Sequence, residues 1–161
     1  MDQAIKDKLA SILSKQSEHR KAVADKQKRL KELEAKKKAD RDAAERKWKD
    51  TLQVVRAVVS EINDSLKPTG NEFVIEERSK DGAISQTAIC LNSPTIGKDS
   101  QRAIILNVDE VGYFDPVFLI PHSGKSPERM KLDAVDHNFF AGMLVDFLDQ
   151  AFAYEDEKAR Q

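Results

Sequence analysis

The chain carries two hydrophobic rhythms that meet near residue 67. Before that point apolar residues recur three and four apart. After it they alternate in short runs, and helical spacing returns only near the C-terminus. The first rhythm predicts one long α-helix over residues 1–66. Between Ala4 and Lys67 there is no Gly and no Pro. The run is mostly Ala, Lys, Arg, Glu, Gln and Leu, which lose little rotamer freedom in a helix. Asp2 is placed to cap its start, and Lys67, Pro68, Thr69 and Gly70 supply a stop. A helix of that length spans on the order of 90 Å, more than a small domain can cover.

The stripe along this helix is uneven. One seam holds Ile5, Leu9, Ile12, Gln16, His19, Val23, Lys26, Leu30, Leu33, Lys37, Asp40 and Ala44. Ile5, Leu9, Ile12, Leu30 and Leu33 suit a coiled coil, whereas Gln16, His19, Lys26, Lys37 and Asp40 do not. Past Ala44 the spacing shifts by one residue. Trp48, Leu52, Val55, Val59, Ile62 and Leu66 then form a clean apolar row. The steps of four from Asp40 to Leu52 resemble a stutter, which locally unwinds a supercoil. Asp25–Arg29, Glu32–Lys36, Glu34–Lys38, Asp42–Arg46 and Glu45–Lys49 are acid-before-base pairs at i,i+4 that support helix locally.

Four strands are predicted after the helix: Glu72–Ser79, Ala83–Asn92, Arg102–Glu110 and Phe114–Ile120. Lys80-Asp81-Gly82 reads as a hairpin turn between the first two. Ala83–Asn92 alternates, with Ile84, Ala88 and Cys90 on one face and Ile89 and Leu91 on the other. Pro116 marks the fourth strand as an edge or a bulge. Short connections favour an antiparallel meander. The segment Pro121–Asp133 reads as irregular. A last helix begins near Asp133 or Asp136 and runs to about Lys158. Its apolar residues, among them Phe140, Leu144, Phe147 and Leu148, sweep over half the circumference, more than the ~100° that one sheet covers. That excess predicts burial on two sides, and with it a dimer.

The predicted architecture is α+β: a long coiled-coil helix over 1–66, then a head over 67–161 of four-stranded antiparallel sheet and C-terminal helix. In layout this is similar to the coiled-coil-plus-RWD-like heads of kinetochore and adaptor proteins. No sequence motif carries the likeness, and layout alone transfers no function.

Charge separates the same two parts. Residues 1–66 hold 17 Lys/Arg against 12 Asp/Glu, a net +5, and 67–161 hold 10 against 16, a net −6. The basic side is a candidate for an acidic partner, either nucleic acid or the acidic head of another copy. Residues 20–49 reach +7 (13 Lys/Arg, 6 Asp/Glu), yet the signs are interspersed and Trp48 is the only aromatic there. A solvated helix explains this better than a nucleic-acid surface. A single cysteine, Cys90, excludes an intrachain disulfide. With no leader-like apolar core and no apolar run of ~20 residues, the expectation is a soluble, cytoplasmic protein with no membrane partner.

No catalytic or cofactor motif emerges. Gly124-Lys125-Ser126 lacks the upstream Gly of a P-loop, since Leu119 stands there. His122, Asp133 and His137 are conceivable metal ligands, but their spacing fits no zinc pattern. Asp109, Glu110, Asp115 and His122 could supply an acid–base pair only if folding brought them together. Cys90, inside a strand, reads as an inert buried thiol. The leading expectation is therefore a non-enzymatic, homodimeric interaction or adaptor protein. Dimerisation falls to Ile5, Leu9, Ile12, Leu30, Leu33, Trp48, Leu52, Val55, Val59, Ile62, Phe140, Leu144, Phe147 and Leu148. An unidentified protein partner is expected at His122, Lys125, Arg129 and Lys131, in the loop beside the Pro116 edge. Nucleic-acid binding through 20–49 is the alternative, and a small enzyme or metal protein near His122, Asp133 and His137 is the second. Neither a cofactor nor a metal is called for.

Overall fold

The computed structural model describes residues 1–78, 82–96, 102–121 and 124–160, with backbone alone at 158. The fold is α+β. Helix α1 spans Gln3–Leu66, and strands β1 (Glu72–Arg78), β2 (Ala83–Asn92), β3 (Arg102–Asp109), β4 (Tyr113–Leu119) and β5 (Met130–Lys131) precede helix α2 (His137–Arg160). The strands form one antiparallel sheet in the order β1-β2-β3-β4-β5. The chain separates into two compact units, residues 1–39 and 40–161.

Local chemistry explains the ends of the elements. At the start of α1, the Asp2 backbone carbonyl accepts from the N–H groups of Ile5 and Lys6, both at 3.1 Å. Beyond Leu66 a 3-10 turn over Lys67–Thr69 carries Pro68, and Gly70 closes it at φ +73°, a left-handed conformation that glycine adopts without a Cβ penalty. Asp136 caps α2, its Oδ1 accepting the Phe139 N–H at 2.8 Å. Asp133 instead sits in a 3-10 turn over Leu132–Ala134 and pairs with Lys47.

The core lies in the 40–161 unit, where both helices pack on one face of the sheet. Trp48, Val55, Val58 and Val59 of α1 meet Phe73, Ile89, Ile104, Leu106 and Phe118 of the sheet and Phe140, Leu144 and Phe147 of α2. Aromatic rings tie the layers: Trp48 stacks near Phe114 at 6.3 Å, Phe140 meets Phe114 edge-on at 5.6 Å, and Phe147 meets Phe118 edge-on at 5.2 Å. The opposite face carries a smaller cluster of strand residues, Ala88, Cys90, Ala103 and Ile105, with Val117 against it.

Three expectations change. The sheet has five strands, because Met130 and Lys131 of the supposedly irregular segment pair with Phe114 and Tyr113. Two residues are too few to leave an alternating pattern. Ile84 packs into the main core, away from Ala88 and Cys90, because the register shifts between Ala83 and Ser85 and flips the strand face. None of the five i,i+4 pairs read from α1 closes to ion-pair distance; Arg41–Glu45 does, at 3.4 Å. Exposed pairs gain too little to fix long side chains. Of the hairpin signal, Lys80 and Asp81 lie outside the described residues, and Gly82 stands at φ +77°.

Candidate interaction surfaces

The first surface is the 1–39 unit. Every residue in it is exposed. Ile5, Leu9, Ile12, Leu30 and Leu33 are each about half open to solvent (55%, 47%, 53%, 51% and 49%). Ala4, Ile5, Lys8, Leu9 and Ile12 line a shallow groove along the first turns. Single exposed apolar residues are ordinary, but a row at helical spacing over some thirty residues is an uncovered face.

The other residues expected to dimerise lie elsewhere. Trp48, Val55, Val59, Phe140, Leu144 and Phe147 are buried in the chain's own core, and Leu52, Ile62 and Leu148 are half-buried against it. A lone copy hides most of these residues, contrary to the expectation drawn from the apolar excess of α2. Placing two helices side by side on one sheet face lets a single chain cover them. What stays open on α2 is a narrower strip: Val145 is 58% exposed, flanked by half-buried Ala141, Leu148 and Phe152.

The second surface is the segment after β4. Gly124-Lys125-Ser126 is a latch on the strand edge. Phe118 N–H donates to Ser126 Oγ at 2.8 Å, and Gly124 passes so close that a Cβ would stand 2.6 Å from the Phe118 carbonyl oxygen. Lys125 is clamped by its backbone to Gln150 of α2, at 2.9 Å through its N–H and 3.2 Å through its carbonyl. The edge that Pro116 leaves open is therefore covered next door, a common defence against strand-to-strand association. Arg129 pairs with Asp109 and lies over the Tyr113 ring at 4.4 Å. The Asp109 carboxylate also accepts the N–H groups of Val111 and Tyr113, each at 2.9 Å. Partial burial pushes its pKa up, but these N–H donors and the Arg129 guanidinium outweigh burial and hold it below the usual value. Lys131 lines a cleft of about 340 Å³ with Asp40, Ala44, Lys47, Tyr113 and Asp133. His122 lies outside the described residues.

The remaining chemistry disperses. Asp133 pairs with Lys47, His137 bonds Glu61 at 2.8 Å, and Glu110 bonds Arg41 at 2.6 Å. Among the described residues no group of three His, Cys, Asp or Glu side chains is placed to share a metal ion. Cys90 is buried. Arg102, 1% exposed, is the one deeply buried charge among the described residues. It meets Glu155 at 2.5 Å and the Tyr154 ring at 5.0 Å, fastening the end of α2 to the sheet. No described helix is long and apolar enough to cross a membrane.

Compared with protein-family models, with curated proteins and with solved structures, the chain matches none of them.

Sequence reasoning missed three working residues. Asn63 donates to the Phe73 carbonyl at 2.9 Å and accepts the Phe73 N–H at 2.8 Å. Gly124 and Ser126, which as a sequence motif fall short of a phosphate loop, hold the segment against Phe118. Glycine followed by serine next to a proline-bearing edge strand was the available signal; nothing in sequence pointed to Asn63.

Proposed function

We propose that this chain is a non-enzymatic, self-associating interaction protein. Its N-terminal helix pairs two copies, and its α+β head offers the Lys125–Lys131 segment to a protein partner. One observation carries the reading: an apolar row from Ile5 to Leu33 on a helix whose every neighbouring residue is exposed. Burying such a row against a second helix removes it from water, the usual reason that heptad-spaced apolar residues occur together. Sedimentation of the intact protein at micromolar concentration should give twice the 18.1 kDa chain mass. Leu9→Asp with Leu30→Asp should return it to the single-chain mass while the head remains folded by circular dichroism. A single-chain mass for the parent protein removes the proposal.

Nucleic-acid binding is the second reading, supported by the exposure of every residue from 20 to 43 within the basic stretch. Fluorescence anisotropy with duplex DNA decides it: binding at low salt that falls steeply with added salt supports it, and no binding at low salt ends it.

A further inference from the structure

The apolar row of residues 5–33 has basic neighbours. Lys8, Lys15, Arg29 and Lys36 each directly precede a seam residue, where the flanks of a paired helix face the partner. Residues 1–39 hold 12 Lys/Arg against 6 Asp/Glu, a net +6, and residues 40–161 hold 15 against 22, a net −7. Pairing this helix with its own copy sets like charges together in either sense. Parallel and in register, Lys26 meets Lys26, Lys37 meets Lys37, and Lys15 flanks Arg20. Antiparallel about the middle of the unit, Lys8 approaches Lys36 and Lys15 approaches Arg29.

The open strip of α2 has the opposite character. Ala141, Val145, Leu148 and Phe152 follow steps of four, three and four, and Asp149 and Asp156, both exposed, border them. Ile5, Leu9, Ile12 and Gln16 follow the same steps. Pairing α2 with its own copy along this strip would again oppose like charges, acid against acid. The mixed pairing joins apolar row to apolar strip and base to acid.

We infer that the N-terminal turns of α1, around Ile5, Leu9 and Ile12, dock on the outer strip of α2 in a second copy, with Lys8 and Lys15 beside Asp149 and Asp156. Made reciprocally, the exchange gives two equal contacts and closes as a dimer. It rests on the self-association proposed above and names the surface that receives the helix.

The test uses the intact chain. Leu9→Cys is made in one preparation and Val145→Cys in another, with buried Cys90 kept and the parent chain as background. Under mild oxidation the mixture should give the mixed disulfide dimer at least several-fold faster than either variant alone. Both positions are exposed, so neither change threatens the fold. Independently, Lys8→Glu with Lys15→Glu should weaken the dimer about tenfold, and adding Asp149→Lys with Asp156→Lys should restore it. Self-crosslinking of the Leu9→Cys variant without the mixed product places the N-terminal helices together. That overturns this inference and leaves the dimer standing. A disulfide formed within one chain carrying both substitutions, at single-chain mass, also overturns it, as does failure of the charge swap to restore the dimer. A parent protein that sediments as one chain at every concentration removes the reading beneath it.

Discussion

Helix α1 carries two apolar rows with different fates. From Ala44 to Val59 the row is sealed: Val55 and Val58 are fully buried, and Trp48 stacks on Phe114. From Ile5 to Leu33 the row stands open. Both have helical spacing, so periodicity marks a face but not what covers it. Width is the better guide. The sealed part adds Val54 and Val58 beside its seam, enough to meet a sheet and a second helix, while the open part is narrower, with Leu13 alone among large apolar residues beside it, and is interrupted by Gln16, His19 and Lys26.

That contrast can be broken most sharply at its buried end. Phe147→Ala, on the face of α2 buried against Phe73 and Phe118 of the sheet, should cost about 3–5 kcal/mol in urea unfolding of the intact chain. At concentrations low enough to keep the chain single, Leu9→Ala should leave the same transition within about 0.5 kcal/mol, since it touches nothing in the chain's own core. Equal losses at the two positions would mean that the open row is not open. Next comes Asn63→Ala, which strips both bonds from Phe73 at the margin of the sealed row. A loss of about 1–3 kcal/mol is expected, with faster hydrogen exchange in β1 as the local readout. A smaller, pH-dependent effect belongs to Asp109. Its folded pKa is lowered, so its contribution is fully present above the unfolded value near ~4 and disappears as pH falls through the folded value. Asp109→Asn should flatten that acid limb of a stability–pH profile by lowering its neutral end, leaving the most acidic end nearly unchanged. Last, Gly142→Ala should raise stability by about 0.5–1 kcal/mol: the site is helical and exposed, and nothing lies within 4 Å of an added Cβ.

Much of the fold was legible because its signals are local. The absence of Gly and Pro before Lys67 gave α1 to within a residue or two, and alternation gave four strands with edges close to those observed. β5 escaped because pairing, not pattern, creates it. The face of Ile84 escaped because a bulge is invisible to a strict two-residue period. The candidate surfaces were legible only in part. The seam of α1 was readable as a seam. The apolar excess of α2 was also readable, but its division into an inner arc around Phe147 and an outer strip around Val145 depends on where the sheet lies. The tertiary bonds of Asn63, Gly124 and Ser126 join residues eight to ten apart or a backbone passing close by, and no periodicity encodes them.

The side-chain amide of Asn63 occupies the outward N–H and carbonyl of Phe73, the apolar end of a strand that borders the sheet. A bare border of that kind invites runaway stacking of one chain on the next. Asn63 leaves the ribosome ten residues ahead of Phe73, so the guard is already synthesised when the vulnerable strand appears. The remaining turns of that border carry Glu76, Glu77 and Arg78, whose charges discourage fibre growth where the amide does not reach.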